Sequence, residues 1–182
     1  MDNIDRRLLL GAAGLAGMAA LGARGTAGPI DPPAGPVGPT TKPLGEIEPR
    51  VAVSDANTPG NATSRFRITR PGSYYLLDNI LNVAGKHGIE IASGDVTLDL
   101  CGFELTMLPG TGSFDGVTVL GGSLTGIAVV NGHVRNWGRQ GVNLSSLFVS
   151  RSRVERIGAA GCGGVGIVSG SHSVVSLCTA SA

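Results

Sequence analysis

A short phrase returns four times along this chain: Gly88-Ile89-Glu90-Ile91, Gly116-Val117-Thr118-Val119, Gly141-Val142-Asn143-Leu144 and Gly164-Val165-Gly166-Ile167. The steps between copies are 28, 25 and 23 residues. Each copy is a glycine leading an apolar, polar, apolar alternation, the period-2 signature of a strand with one buried face. Two further short apolar strands and a turn follow each copy, so the repeating unit is a coil of strands. A unit of this size cannot bury its own apolar face and has to stack on neighbours, which predicts a solenoid. Thirty glycines in 182 residues are about double the usual share, as expected of a chain that turns every few residues. Aromatic residues make up only 4%, so the core is expected to be Val, Ile, Leu and Ala.

Four segments follow from the chain's punctuation. Residues 1–27 read as an export signal. Arg6-Arg7 precedes an apolar Ala/Gly-rich stretch from Leu8 to about Ala23, and Gly25-Thr26-Ala27 offers small residues for cleavage. The arginine pair resembles a twin-arginine signal of bacterial export, although Asp2 and Asp5 dilute the positive end. The apolar run is shorter than the roughly 20 residues of a membrane span, so the mature chain is expected to be exported and free of the membrane, whether periplasmic, at the cell surface or extracellular. An uncleaved anchor is the alternative. Residues 28–50 hold seven of the ten prolines and read as an extended linker. Residues 51–86 read as an N-terminal cap, with Phe66-Arg67-Ile68-Thr69, a turn at Arg70-Pro71-Gly72-Ser73, and Tyr74-Tyr75-Leu76-Leu77 forming a hairpin-like element whose tyrosines seal the core. Residues 87–182 are the coils. Ser173 to Thr179 looks like the middle of a coil, so an open C-terminal end is expected, as in a truncated frame or a fragment of a longer solenoid, and such an edge favours self-association.

The phrases RITRPGSYYL, HGIEIASGDVTLDLCGF, GIAVVNGHVRNWG and GVNLSSLFVSRSRVERIG resemble the right-handed parallel β-helix proteins of the pectate-lyase-like superfamily, in particular its exported bacterial members. The resemblance spans Arg65 to Ala182. It implies an all-β right-handed parallel β-helix, here of about four coils, with three short parallel sheets per coil. In characterised members it implies binding or cleavage of acidic polysaccharide. Fold and activity are loosely linked, so the activity has to be argued from a site.

Stacking equivalent residues on successive coils, about 4.8 Å apart, turns the sequence into columns. The inward columns are Ile89, Val117, Val142, Val165 and then Ile91, Val119, Leu144, Ile167. Between them lies the outward column Glu90, Thr118, Asn143, Gly166, and before the glycines His87, Asp115, Gln140, Gly163. In the enzymes that the chain resembles, the saccharide groove runs along this first sheet. That makes His87, Glu90, Asp115, Gln140 and Asn143 candidate glycan contacts, with an ordinary solvated face as the alternative. A second strip takes Leu105, Val134 and Val154 as equivalent, stacking Glu104, His133 and Arg153, and beside them Thr106, Arg135 and Glu155. That strip is either a ladder of weak cross-strand pairs or a clamp for an anionic sugar with Arg153 on its carboxylate. The steps of 29 and 20 residues make this alignment uneven.

Motifs of a defined enzyme are sparse. Galacturonan hydrolases of the family pair aspartates around Gly-His-Gly, whereas here Asn131-Gly132-His133 follows only Asp95, Asp99 and Asp115 in the coils. Hydrolysis needs two carboxylates roughly 5–9.5 Å apart, and no aspartate pair falls on adjacent coils of one column. Calcium wants six to eight oxygens, so Glu90 with Asp115 is too little for a site, and no metal or other cofactor is expected. Cys101, Cys162 and Cys178 lack metal spacing. Cys101 is expected at the corner that Asn131 occupies one coil later, and Cys162 and Cys178 are candidates for a disulfide. Trp137 is either a core plug or a sugar-stacking platform. A net charge of +1 gives no electrostatic case for nucleic acid. Arg135, Arg139, Arg151, Arg153 and Arg156 form a locally basic run that suits an acidic glycan. The readings left open are a uronate-chain lyase, hydrolase or epimerase, a non-catalytic surface or glycan-binding module, and an inactive remnant.

Overall fold

In a computed structural model of the chain, residues 48–82, 84–145 and 149–181 are described. The segment expected to be an export signal, and the Pro-rich segment up to residue 47, lie outside the described residues. Among the described residues fourteen strands follow one another: β1 Val51–Ala52, β2 Ser64–Ile68, β3 Gly72–Tyr75, β4 Ile80–Leu81, β5 His87–Ile91, β6 Val96–Asp99, β7 Glu104–Thr106, β8 Val117–Val119, β9 Ala128–Arg135, β10 Val142–Asn143, β11 Arg153–Ala160, β12 Ile167–Val168, β13 Val174–Ser176 and β14 Thr179–Ser181. One sheet runs β2-β5-β8-β10-β12 and the other β1-β3-β6-β9-β11-β13, with β7 joining β4 to β9 and β14 joining β11. Every paired strand is parallel to its partner. The chain is therefore an all-β parallel solenoid of about five turns, one more than the glycine repeat indicates.

The extra turn comes from the segment expected to be a hairpin. Strands β2 and β3 do not pair with each other. β2 lies on β5 with Phe66 opposite Ile89, and β3 lies on β6 with Tyr74 opposite Leu98. Nor do the tyrosines act together. Tyr74 is buried in the core and donates its hydroxyl to the Arg70 carbonyl at 2.9 Å, whereas Tyr75 faces outward beneath the Arg50 guanidinium, 4.7 Å from its ring centre. Upstream, Pro59 makes an antiparallel bridge to Phe66.

The core is a set of aliphatic columns. Phe66, Ile89, Val117, Val142 and Ile167 stack along the first sheet, and Tyr74, Leu98, Val129, Val154 and Val175 along the second. Burying each aliphatic side chain contributes roughly 1.5–3 kcal/mol. Corners form columns as well. Cys101, Asn131, Arg156 and Leu177, with φ of 52°, 58°, 53° and 54°, bend successive coils at one place, and Asp95, Gly126, Arg151 and His172, with φ of 52°, 71°, 55° and 51°, at another. A left-handed residue other than glycine or asparagine costs roughly 1–2 kcal/mol. Here inter-coil hydrogen bonds hold it, such as Gly102 N–H to the Asn131 carbonyl at 2.8 Å. Cys101 thus shares its corner with Asn131 as expected. All three cysteines are free thiols, so Cys162 and Cys178 are not bridged.

The repeat glycines serve a different purpose from the turning role that composition indicates. Gly88, Gly116, Gly141 and Gly166 do not adopt positive φ. They face the interior where larger groups already sit. A β-carbon on Gly116 would collide with Val134 and stand 2.9 Å from Trp137 Nε1, and one on Gly88 would stand 2.9 Å from the Trp137 ring. Absence of a side chain, rather than backbone freedom, is what the fold takes from them.

Two registers differ from the sequence reading. In the last coil Val142 pairs with Ile167, so Gly166 rather than Gly164 follows Gly141, and Val165 is exposed at 59% instead of buried. In the second sheet Val134 pairs with Ala159, and Val154 pairs with Val129. Arg153 and Glu155 therefore belong to a different column from Glu104, His133 and Arg135.

Candidate functional site

On the first sheet the candidates do come together. His87, Asp115 and Gln140 precede the glycines of β5, β8 and β10, one above the other, with Ser64 before them and Val165 after. Arg67, Glu90, Thr118 and Asn143 form the next outward column, followed by Val168. The expected last members, Gly163 and Gly166, give way to Val165 and Val168 because of the register shift.

The two carboxylates of this strip are not solvated. The Glu90 side chain is 3% exposed and that of Asp115 2%. Glu90 accepts from Arg67 Nε at 2.7 Å on one oxygen, and from Ser64 Oγ at 2.8 Å and Asn61 Nδ2 at 3.1 Å on the other. Burial alone would raise its pKa, but these three donors outweigh it and hold the carboxyl below its ordinary value. Asp115 accepts the Gln140 backbone N–H at 3.0 Å and Asn143 Nδ2 at 3.1 Å, with Arg139 Nε 3.8 Å away. Buried carboxylates need such partners, since an uncompensated charge there is costly.

His87 closes the network. Its Nδ1 accepts the Asp115 amide N–H at 3.0 Å, which fixes a neutral ring carrying its proton on Nε2. The Phe114 ring meets it edge-on, with centroids 5.3 Å apart. Burial pushes the His87 pKa down; the Asp115 carboxylate opposes that shift and the Arg139 cation reinforces it. Ser64, His87 and Asp115 stack in an order that invites comparison with a hydrolytic triad, but their bonding differs. Ser64 Oγ donates to Glu90 and is fully buried, and His87 Nδ1 accepts a backbone proton instead of donating to the carboxylate.

These shifts set a pH dependence. Between the lowered folded-state value and the ordinary 6.5 of His87, the unfolded chain binds more protons, so stability is lost as pH falls below about 6.5. The Glu90 contribution is present above 4.5 and is lost as pH falls through its lowered folded value. Thermal melts from pH 8 down to about pH 2 should show a melting temperature that is level above about 6.5, declines below it, and declines further below 4.5. The variant His87→Gln should abolish the upper decline while keeping the lower one. An unchanged upper decline in that variant would contradict this account.

The second strip is divided. Glu104 and His133 are register partners, and Arg135 Nε stands 3.9 Å from Glu104, but the residue after His133 in that column is Gly158. Arg153 lies opposite Ala128 and pairs with its own neighbour Glu155 at 3.1 Å, which Arg156 also contacts at 3.1 Å. The acid–imidazole–guanidinium clamp is therefore not assembled. Four arginines of the basic run are likewise divided: Arg135 faces Glu104, Arg139 faces Asp115, and Arg153 and Arg156 share Glu155. Trp137 is wholly buried, with Nε1 donating to the Leu105 carbonyl at 3.1 Å, and is a core residue, not a sugar platform.

The sequence reading did not include Asn61, Ser64 and Arg67, which complete the Glu90 network. They sit on a coil in which Arg65 occupies the place of the repeat glycine, so the signal that marks the later coils is missing there. Among the described residues no three His, Cys, Asp or Glu side chains converge as a metal site, and no helix is long and apolar enough to cross a membrane. Comparison with known proteins finds no matching family model, no matching curated protein and no matching solved structure.

Proposed function

We propose that this chain is an exported β-solenoid that binds an acidic polysaccharide along the β2-β5-β8-β10-β12 sheet without cleaving it. One observation carries this reading: the carboxylates of that sheet are buried while their cationic partners reach solvent. Arg67 and Arg139 side chains are 41% and 48% exposed over Glu90 and Asp115. The accessible groups are thus guanidinium N–H donors, with the half-buried His87, Gln140 and Asn143 beside them. Guanidinium groups pair with carboxylates in a forked geometry, and Arg67 on β2 and Arg139 beside β10, three coil steps apart along the sheet, would engage separate carboxylates of one extended chain. Both carboxylates are fully engaged by donors, which leaves none placed as a general acid or base and favours binding over lyase, hydrolase or epimerase chemistry.

Affinity electrophoresis tests the proposal. Mobility of the full chain should be retarded in gels containing polygalacturonate or alginate and unaffected by neutral dextran. Retardation should weaken several-fold in Arg139→Ala and in Arg67→Gln, and with added salt. Equal retardation by dextran, or none by any glycan, would overturn the proposal.

A further inference from the structure

We propose that His87 is a proton switch on the first sheet: the neutral ring holds the Asp115 amide, and the protonated ring turns to the Asp115 carboxylate and frees Arg139 for an anionic ligand. Such a switch regulates the binding site proposed above and rests on that reading. Two hydrogen-bond arrangements lie within a small rotation of each other. Nδ1 accepts the Asp115 N–H at 3.0 Å, standing where a backbone carbonyl stands elsewhere in the ladder, as the Thr63 carbonyl does for the His87 N–H at 2.8 Å. Asp115 Oδ2 is 3.8 Å from the same ring nitrogen. An imidazolium carries a proton on both nitrogens and has no acceptor. Protonation therefore sets two N–H donors against each other and breaks the first arrangement. The carboxylate oxygen is the acceptor at hand; it already takes Asn143 Nδ2 at 3.1 Å and has a second lone pair to offer. A charge-assisted bond then replaces a neutral one.

The charged groups around the ring determine where the added charge is felt. They are Asp115 and Arg139 from the following coils, Glu90 on the same strand, and Lys86 just before it. Glu90 is held by Arg67, Ser64 and Asn61, and Lys86 Nζ donates to the Asn61 carbonyl at 2.7 Å, so both are engaged on the side of β2. Asp115 differs. Its neighbouring cation is Arg139, whose Nε stands 3.8 Å from Oδ1 and whose side chain is 48% exposed. An imidazolium on Asp115 takes over the charge that Arg139 balances, and the group of three goes from neutral to net positive. The Asp115 N–H loses its acceptor in the same step. Both changes favour an anion arriving from solvent. Burial of His87 sets the transition below the ring's ordinary 6.5. Linkage makes the effect reciprocal, so a ligand that prefers the protonated ring raises the pKa of that ring.

Two measurements on the full chain test this, with melting at each pH confirming that the protein is folded. The first is affinity electrophoresis in polygalacturonate, relative to a glycan-free gel, from pH 8 to pH 5 at constant ionic strength. Ligand carboxyls with ordinary pKa values of about 4 stay charged over that range. Affinity should rise about fivefold or more as pH falls. In His87→Gln, whose amide oxygen can accept the Asp115 N–H at every pH, it should stay nearly level. His133 and His172 remain in that variant, so a rise that persists there would overturn the proposal, as would a parent whose retardation is flat in pH. The second measurement needs no glycan. In a heteronuclear NMR titration, the Asp115 amide and Arg139 Nε–H signals should move together with the His87 ring nitrogens. An Asp115 amide that stays fixed while His87 titrates would overturn the switch whatever the gels show. Coupled signals without retardation at any pH would uphold the hydrogen-bond exchange and overturn the glycan as its ligand.

Discussion

Replacing Gly116 with valine should destabilise the fold by about 3 kcal/mol or more, a large share of a typical domain's net stability. The position has an ordinary backbone conformation that valine tolerates, so a turning role predicts little change. Packing predicts the opposite. The first added carbon already collides with Val134 and comes within 2.9 Å of Trp137 Nε1, and it also presses on the Gly141 carbonyl at 2.5 Å. That carbonyl accepts the Val117 N–H at 2.9 Å, so the neighbouring coil has to shift and weaken its ladder. Denaturant unfolding gives the measurement. Gly121→Val is a useful contrast, because there φ is 109° and no atom stands near the added carbon. Any cost at Gly121 is conformational, whereas the cost at Gly116 is steric.

Trp137→Ala should cost about 3–5 kcal/mol, the second large effect. Trp137 is wholly buried and lies across two coils, against Gly88 and Gly116. Its Nε1 satisfies the Leu105 carbonyl from a third strand at 3.1 Å. Truncation therefore opens a cavity and removes the indole N–H bond to that carbonyl. Trp137→Phe keeps most of the packing and loses the hydrogen bond, so its cost should be clearly smaller. Equal costs in the two variants would make the hydrogen bond dominant and the plug incidental.

How far the chain can be read without coordinates depends on what each pattern constrains. Alternation identifies the strands of β5, β8 and β10 and their relative register, because a slip of one residue would bury Glu90, Thr118 and Asn143 in the apolar core. A slip of two keeps the same face inward, and GlyValGlyIle at 164–167 satisfies both registers. Either register sets a glycine beside Ala159 and Ala180, whose β-carbons lie 3.0 Å from where one on Gly166 would stand, so this packing asks for a glycine without choosing between the two. In β9 the left-handed Asn131 resets the alternation, so Val129 and Val134, five residues apart, both point inward. Val154 then has two apolar columns to choose from by pattern alone.

The candidate site was legible in its members and illegible in their state. His87, Glu90, Asp115, Gln140 and Asn143 are brought together by the coil repeat that the sequence displays. An outward polar residue on a strand nevertheless reads as solvated, and Glu90 and Asp115 are buried because donors from other coils, Arg67 and Asn61 among them, close over them. These partners lie one coil away, 23–29 residues along the chain, but those of Glu90 sit on a first coil that lacks the repeat glycine.

The most direct test of the central claim is a single incubation of the full chain with polygalacturonate and alginate, following both retention of the protein and new reducing or unsaturated ends. The account predicts retention with no new ends. New ends that disappear in Asp115→Asn would contradict it and make the buried strip catalytic, and absence of retention would remove the glycan from the account altogether.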